Sequence, residues 1–275
     1  MTEPADLTPL AEGVECEFMY SYESQAPRPA YTDLGISTTR IGGGVALAMR
    51  NDPSGGYWSK ALGFGITEPF TVQTLDRILD FYRGHGIDQA VLQLVPSVLP
   101  TGFDEVAAAR GLKPGSTWVK LAALPGDVAA GPTRLRVGPV PAAEAERWAD
   151  VLISGFGMPS GGLTDMLAAT VGEPAWRPYA AWDDGDLVAG GNLFLHGESA
   201  SLNAAATAPA HRGLGAQSAL IAARALAAAE AGSRWLFAET GKPSPGAQNP
   251  SLNNLRRAGL VPLYERRNWI WRSAP

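Results

Sequence analysis

The stretch Thr207–Gln217, TAPAHRGLGAQ, runs without a break into SALIAARALAAAEAG, an alanine-rich segment with the composition of one long helix. A strand-forming run, Ser199–Thr207, comes just before it, so the local order is strand, glycine-rich turn, helix. No other feature of the chain restricts its fold as much. Gly213 and Gly215 admit backbone conformations closed to other residues. A turn that feeds a helix gathers backbone N–H groups and the positive end of a helix dipole at one spot, which suits a phosphate. Two familiar phosphate motifs do not fit. A dinucleotide fingerprint needs a third glycine at position 218, where Ser218 stands, and the chain has no Gly-Lys-Ser/Thr run of a Walker loop.

At 275 residues the chain is long enough for one large domain or two ordinary ones, and 45% hydrophobic content is that of a globular protein. A formal net charge of −5 argues against nucleic acid as a partner. The pairs Arg256–Arg257 and Arg266–Arg267 read as solvated surface. Cys16 is the single cysteine, which rules out an intramolecular disulfide and a cysteine-based metal cluster and fits a reducing cytoplasm. The opening residues MTEPADLTPLAEG are acidic and lack the pattern of a secretory signal. No apolar run reaches the roughly 20 residues that span a bilayer, so no membrane partner is expected. His85, His196 and His211 are too scattered to suggest a metal site.

The segment Leu121–Pro139, rich in Gly, Pro and small residues, reads as a linker, with a boundary near Gly131 that divides the chain into residues 1–130 and 131–275. In the first half, Thr38–Met49 and Tyr57–Gly65 read as strands, and Val72–Gly84 has helical apolar spacing through Val72, Leu75, Ile78, Leu79 and Tyr82. AVLQLVP follows as a buried strand, then a helix at Phe103–Arg110 and a strand at Thr117–Ala122. The second half opens with a strand at Leu135–Val137, an amphipathic helix at Pro141–Phe156 and another helix at Leu163–Thr170. Tyr179–Trp182 and Leu187–His196 are strands joined by DDGD, a hairpin signal. After the long helix come a strand at Arg234–Ala238, a helix at Pro250–Ala258 with Pro at its start, and closing strands at Leu260–Tyr264 and Trp269–Trp271.

This order over Thr133–Arg272 resembles the GNAT acyltransferase superfamily, and the turn is similar to the family's donor motif in Arg212, Gly213, Leu214, Gly215 and Ala216. Gln217 departs from that motif, which has a small residue there; an outward-pointing side chain would accommodate the change. The first half resembles a degenerate copy: its corresponding segment, ITEPFTV, lacks both the Arg and the paired Gly. The resemblance implies an α/β (α+β) chain of tandem GNAT-like domains, each a mixed, mostly antiparallel twisted sheet flanked by helices. Only the second carries a CoA pyrophosphate loop.

The resemblance also implies a site. Acetyl-CoA, as cosubstrate, lies where the fourth and fifth strands of the second half splay apart. Its pantetheine pairs along Asn203–Thr207, and its pyrophosphate sits over the turn. The implied donor-binding set is Ala205, Ala206, Thr207, Arg212, Gly213, Leu214, Gly215, Ala216 and Gln217. Substituting Gly215→Glu is expected to abolish donor binding with the fold intact. A lysine-like amine has a pKa of about 10.4 and is only about one part in 10³ neutral near pH 7.4, so a base is useful. Glu239 is the leading candidate, ahead of Glu198 and Glu173; its other reading is a cap on the turn before Lys242. A backbone N–H near Ala205 or Ala206 is the expected oxyanion donor. Many family members protonate the leaving thiolate from a Tyr four residues before the Gly of the last helix, and counting back from Gly259 gives Leu255. Ser251, Asn253, Asn254, Tyr264 or a water are the substitutes. The expected reaction is acetyl transfer to a primary amine of a small molecule, amino acid or protein. The alternative is a non-catalytic acyl-CoA sensor or assembly protein. The acceptor is expected between the halves, near Trp58, Phe64, Trp176 and Tyr179, although such aromatics are more often core. The oligomeric state stays open.

Overall fold

The computed structural model describes residues 6–273. Residues 1–5, where the segment read as lacking a secretory signal begins, and residues 274–275 lie outside the described residues. The chain starts with two helices absent from the sequence reading, α1 (Thr8–Ser24) and α2 (Arg28–Leu34). Positions 11, 14, 15, 18, 19 and 22 of α1 have helical spacing and are all buried, but Glu15 stands among them, which hid the apolar face.

The single strand expected from Thr38 to Met49 is a hairpin, β1 (Ile36–Ile41) and β2 (Gly44–Met49). Gly42 and Gly43, with φ of 50° and 79°, make the two-residue turn whose handedness matches strand twist. β3 (Lys60–Leu62) and α3 (Val72–Gly84) follow. Thr71 caps α3 by accepting from the N–H of Thr74, and Leu75, Ile78, Leu79 and Tyr82 are buried, each contributing about 1.5–3 kcal/mol. β4 (Gln89–Gln93), α4 (Phe103–Ala108) and β5 (Leu112–Ala123) complete this part. The rest runs β6 (Arg136–Pro139), α5 (Ala145–Gly155), α6 (Gly162–Ala168), β7 (Tyr179–Asp183), β8 (Asp186–His196), β9 (Ser199–Thr207), α7 (Ala216–Glu230), β10 (Trp235–Gly241), α8 (Pro250–Arg257) and β11 (Val261–Arg272). Asn249 caps α8 ahead of Pro250. The two expected closing strands are one, β11, bent by irregularities between Pro262 and Tyr264 and between Arg267 and Trp269.

All eleven strands form one open sheet in the order β1-β2-β3-β4-β11-β5-β10-β9-β8-β7-β6. Only β3–β4 and β9–β10 pair in parallel; every other neighbouring pair is antiparallel. The closing strands are exchanged: β5 lies against β10, and β11 lies against β4. β5 and β11 also pair with each other at the centre of the sheet. On one face α1, α5 and α6 cover a core that includes Phe18, Leu47, Ile153 and Phe237. The opposite face packs α3 and α4 around Leu79 and Trp269, and α7 and α8 around Leu202 and Leu236.

Candidate active site

The parallel pairing of β9 with β10 runs from Ser199–Trp235 to Leu202–Ala238 and stops there. Beyond that point Glu239, Thr240 and Gly241 pair with β5, and the end of β9 pairs only with β8. A bulge drives the parting. Asn203 faces Asn192 and Ala206 faces Gly190, which leaves Ala204 and Ala205 against Gly191 alone. Ala204 takes a φ of 45°, a conformation few alanines adopt. Arg224 of α7, 1% exposed, locks the bulge by donating from one guanidinium nitrogen to the carbonyls of Asn192 at 2.8 Å and Asn203 at 3.3 Å. A Cβ at position 191 would sit 2.6 Å from that nitrogen, so any side chain there would have to displace the buried guanidinium. Burial lowers the Arg224 pKa to about 10.

At the glycine turn, Gly213 and Gly215 have φ of 82° and 80°. The backbone N–H groups of residues 213–218 have no acceptor among the described residues, so they converge free at the start of α7. Two expectations change here. Gln217 does not point outward: its amide donates to the carbonyl of Ala206 at 3.0 Å and to the Thr207 hydroxyl at 2.9 Å, tying the helix to the splayed strand. Gly215→Glu would not spare the local fold, since any Cβ there falls 2.2 Å from the carbonyl oxygen of Pro132. Gly213 has open space around its Cβ position.

Between β9 and β10 opens a cleft of about 1510 Å³, larger than the roughly 300–1,000 Å³ of a pocket for one small ligand. Ala205, Ala206, Thr207, Arg212 through Gln217, Glu239, Ser251 and Asn254 all line it. Among the described residues that line it, Glu239 is the one acid and Lys120, Arg134, Arg212, Arg224 and Arg257 are the cations. Lys120 pairs with Glu15 and Glu239, Arg134 with Asp183 and Arg224 with backbone carbonyls, which leaves Arg212 and Arg257 without a carboxylate partner. Glu198 and Glu173 are exposed and line no part of it. Leu255 belongs to the core beneath α8 and touches the cleft with a side chain that carries no proton to donate. Trp58 reaches the cleft; Phe64, Trp176 and Tyr179 do not.

At one end of the cleft lies a buried charge cluster that the sequence reading missed. Glu12 and Glu15 of α1, Glu239 of β10, Lys120 of β5 and Arg266 of β11 meet there. Arg266, read as surface, is 1% exposed and reaches Glu12 at 2.5 Å, Glu15 at 2.8 Å and Glu239 at 2.6 Å. Lys120 bonds Glu15 and lies 3.1 Å from Glu239. Glu239 therefore does not cap the turn before Lys242, which instead pairs with Glu265 at 2.7 Å. Nor is Tyr264 free to reach the cleft, because its hydroxyl donates to Glu12 at 2.5 Å. Burial raises the Glu239 carboxyl above the usual range and Glu15 adds to this, while Arg266 and Lys120 offset it only in part. Burial acts in the same direction on Glu15, but there Arg266 and Lys120 outweigh it and hold the carboxyl well below that range. The sequence signal was present: Glu12 and Glu15, one helical turn apart, interrupt the apolar spacing of α1.

Known structures share this fold along almost the whole chain. A GCN5-related N-acetyltransferase from Kribbella flavida superposes with a TM-score of 0.64 over 96% of each chain at 18% identity. The fold is a tandem GNAT fold. A GCN5-related N-acetyltransferase from Sphaerobacter thermophilus gives a TM-score of 0.58 at 14% identity, over 97% of this chain and 94% of that one. A tandem GNAT protein from the clavulanic acid biosynthesis pathway gives 0.56 at 16% identity, over 97% and 96%. No family model matches the chain, and no curated protein matches its sequence. Within this tandem GNAT fold the free N–H groups, the bulge and Glu239 lie along one cleft. Among the described residues no helix is long and apolar enough to cross a membrane.

Proposed function

We propose that this chain is an acyltransferase that moves an acetyl group from acetyl-CoA to a primary amine. The observation that carries this reading is the cleft's charge. In a chain of net charge −5, Arg212 and Arg257, which have no carboxylate partner among the described residues, line the cleft beside a row of free backbone N–H groups. Such a lining suits a ligand with several phosphate charges. In this reading the pyrophosphate rests over residues 212–217, the α7 dipole adding about 0.3–1 kcal/mol for each nearby anionic charge. The pantetheine follows Ala205, Ala206 and Thr207.

Glu239 acts as the base, directly or through a water, and its raised carboxyl makes it a better proton acceptor than an ordinary glutamate. The neutral amine attacks the thioester carbon, and a backbone N–H at the bulge stabilises the oxyanion. The C–S bond then breaks, giving the amide and the CoA thiol. With Leu255 in the core and Tyr264 held by Glu12, the thiolate takes its proton from water held near Ser251 and Asn254. The second half supplies the donor side. The first supplies α1, the opposite wall. The buried Cys16, whose thiol burial pushes up to about 12, fits a cytoplasmic setting.

The lack of a dedicated tyrosine favours a second reading, a non-catalytic acyl-CoA sensor. Calorimetry with acetyl-CoA, followed by a thiol-release assay with primary amines, separates the two. Gly213→Asn has room for its Cβ but places a side chain at φ 82°, at a cost of about 1–2 kcal/mol, and should keep acetyl-CoA binding. Gly213→Asp carries the same strain, sets a carboxylate among the free N–H groups and is expected to abolish binding with a comparably small fall in melting temperature. Unaltered binding by Gly213→Asp would remove the turn from the donor site.

A further inference from the structure

The two ends of the cleft differ in chemistry. Near the glycine turn Arg134, Arg212 and Arg257 accompany the free N–H groups. On the α1 side the wall is mostly apolar, with Phe18, Met19, Trp58, Ile153, Leu167 and Phe237 all buried, and the Tyr22 hydroxyl there already donates to Asn203 at 2.6 Å. Those residues come from both halves and share one core with α5 and α6. Glu239 stands at the edge of this chamber, 12% exposed, already flanked by Lys120 at 3.1 Å and Arg266 at 2.6 Å. Since the cleft's volume exceeds that of a single-ligand pocket, the chamber has room for a second molecule beside the donor.

We infer that the acceptor is a monoamine carried on an apolar body, with its nitrogen at Glu239 and its body in the chamber walled by α1; this rests on the acyltransferase reading above. One carboxylate can receive one ammonium. A second positive charge on the acceptor would fall either on the mostly apolar wall, where burying a charge without a partner is costly, or toward Arg212 and Arg257 at the donor end of the cleft. A polyamine, an aminoglycoside or a lysine in a polar peptide therefore fits poorly, whereas the body of a phenylethylamine removes apolar surface from water on both sides.

The test uses the full-length protein. Thiol release from acetyl-CoA is measured with 2-phenylethylamine, spermidine, kanamycin and a blocked lysine peptide, and binding of each amine to the CoA-loaded protein is measured by calorimetry. The expected result is a kcat/KM for 2-phenylethylamine at least tenfold above the others, with the same order in affinity. Equal or better turnover or binding of spermidine, kanamycin or the peptide overturns the inference. If 2-phenylethylamine binds best but no amine releases thiol, the acceptor class stands and the transferase reading falls. Met19→Gln and, as a milder change, Ile153→Thr should each raise the KM for 2-phenylethylamine at least fivefold and leave acetyl-CoA affinity unmoved. An unchanged KM in both folded variants would place the acceptor elsewhere.

Discussion

Replacing Arg266 by Met would leave Glu12, Glu15 and Glu239 facing Lys120 alone, so the cluster's formal charge would go from −1 to −2. The cheapest way to restore the original balance is to protonate one more carboxyl. A glutamate with the ordinary value of 4.5 gives up about 1.36 kcal/mol for each pH unit above it. Near pH 7.5 that is about 4 kcal/mol, within the roughly 3–5 kcal/mol typical of breaking one partner out of a buried ion pair. A chain of this length shifts its Tm by about 2 °C per kcal/mol, which predicts a loss of about 8 °C. Near pH 5.5 the same proton costs only about 1.4 kcal/mol, and the loss shrinks to about 3 °C. Thermal unfolding of both proteins at the two pH values measures this. A loss near pH 7.5 of less than about 3 °C, or one that does not depend on pH, would show that the three carboxylates do not depend on Arg266.

Two further outcomes follow from the same cluster. Glu239→Gln should slow thiol release mainly below about pH 8, and an unaltered pH profile would remove Glu239 from the mechanism. Because burial raises the folded Glu239 carboxyl above its ordinary 4.5, the native state holds the extra proton between 4.5 and the folded value, and stability falls as pH rises across that range; the substitution removes that slope. Glu15 has the opposite sign: held below 4.5, it stabilises the fold above that pH and loses its contribution as pH falls through the folded value. Glu15→Gln should therefore lower the Tm at neutral pH and flatten the acid side of the Tm-pH curve; a parallel curve would contradict it.

What the sequence made legible was local. The turn at Gly213 and Gly215, the DDGD hairpin, the spacing in α3 and the Pro250 start of α8 each depend on a few neighbouring residues, and each stands where the chain announced it. What it concealed depends on distant partners. Arg266 reads as solvated because the acid beside it in sequence, Glu265, is exposed and pairs with Lys242, and its own partners Glu12 and Glu15 lie at the other end of the chain. Glu15 in turn masks the apolar face of α1, which left that helix unseen. Gln217 looked like a flaw in a motif because the carbonyl it satisfies, that of Ala206, is exposed by a bulge that no local pattern signals.

The exchange of β5 and β11 sets an order of events on the ribosome. Gln93 of β4 bonds Asn268, 175 residues later, and Glu12 of the first helix meets Arg266 across a separation of 254. The first half therefore leaves the exit tunnel with an unpaired strand edge and with Glu12 and Glu15 facing Lys120 alone, and it waits for almost the whole remaining chain to be made before a partner for that edge and the second cation are supplied. During that interval the open edge of β4 can recruit the β11 of another nascent copy. Synthesis rate and chaperone cover thus govern the yield of native protein as much as the stability of the finished fold does.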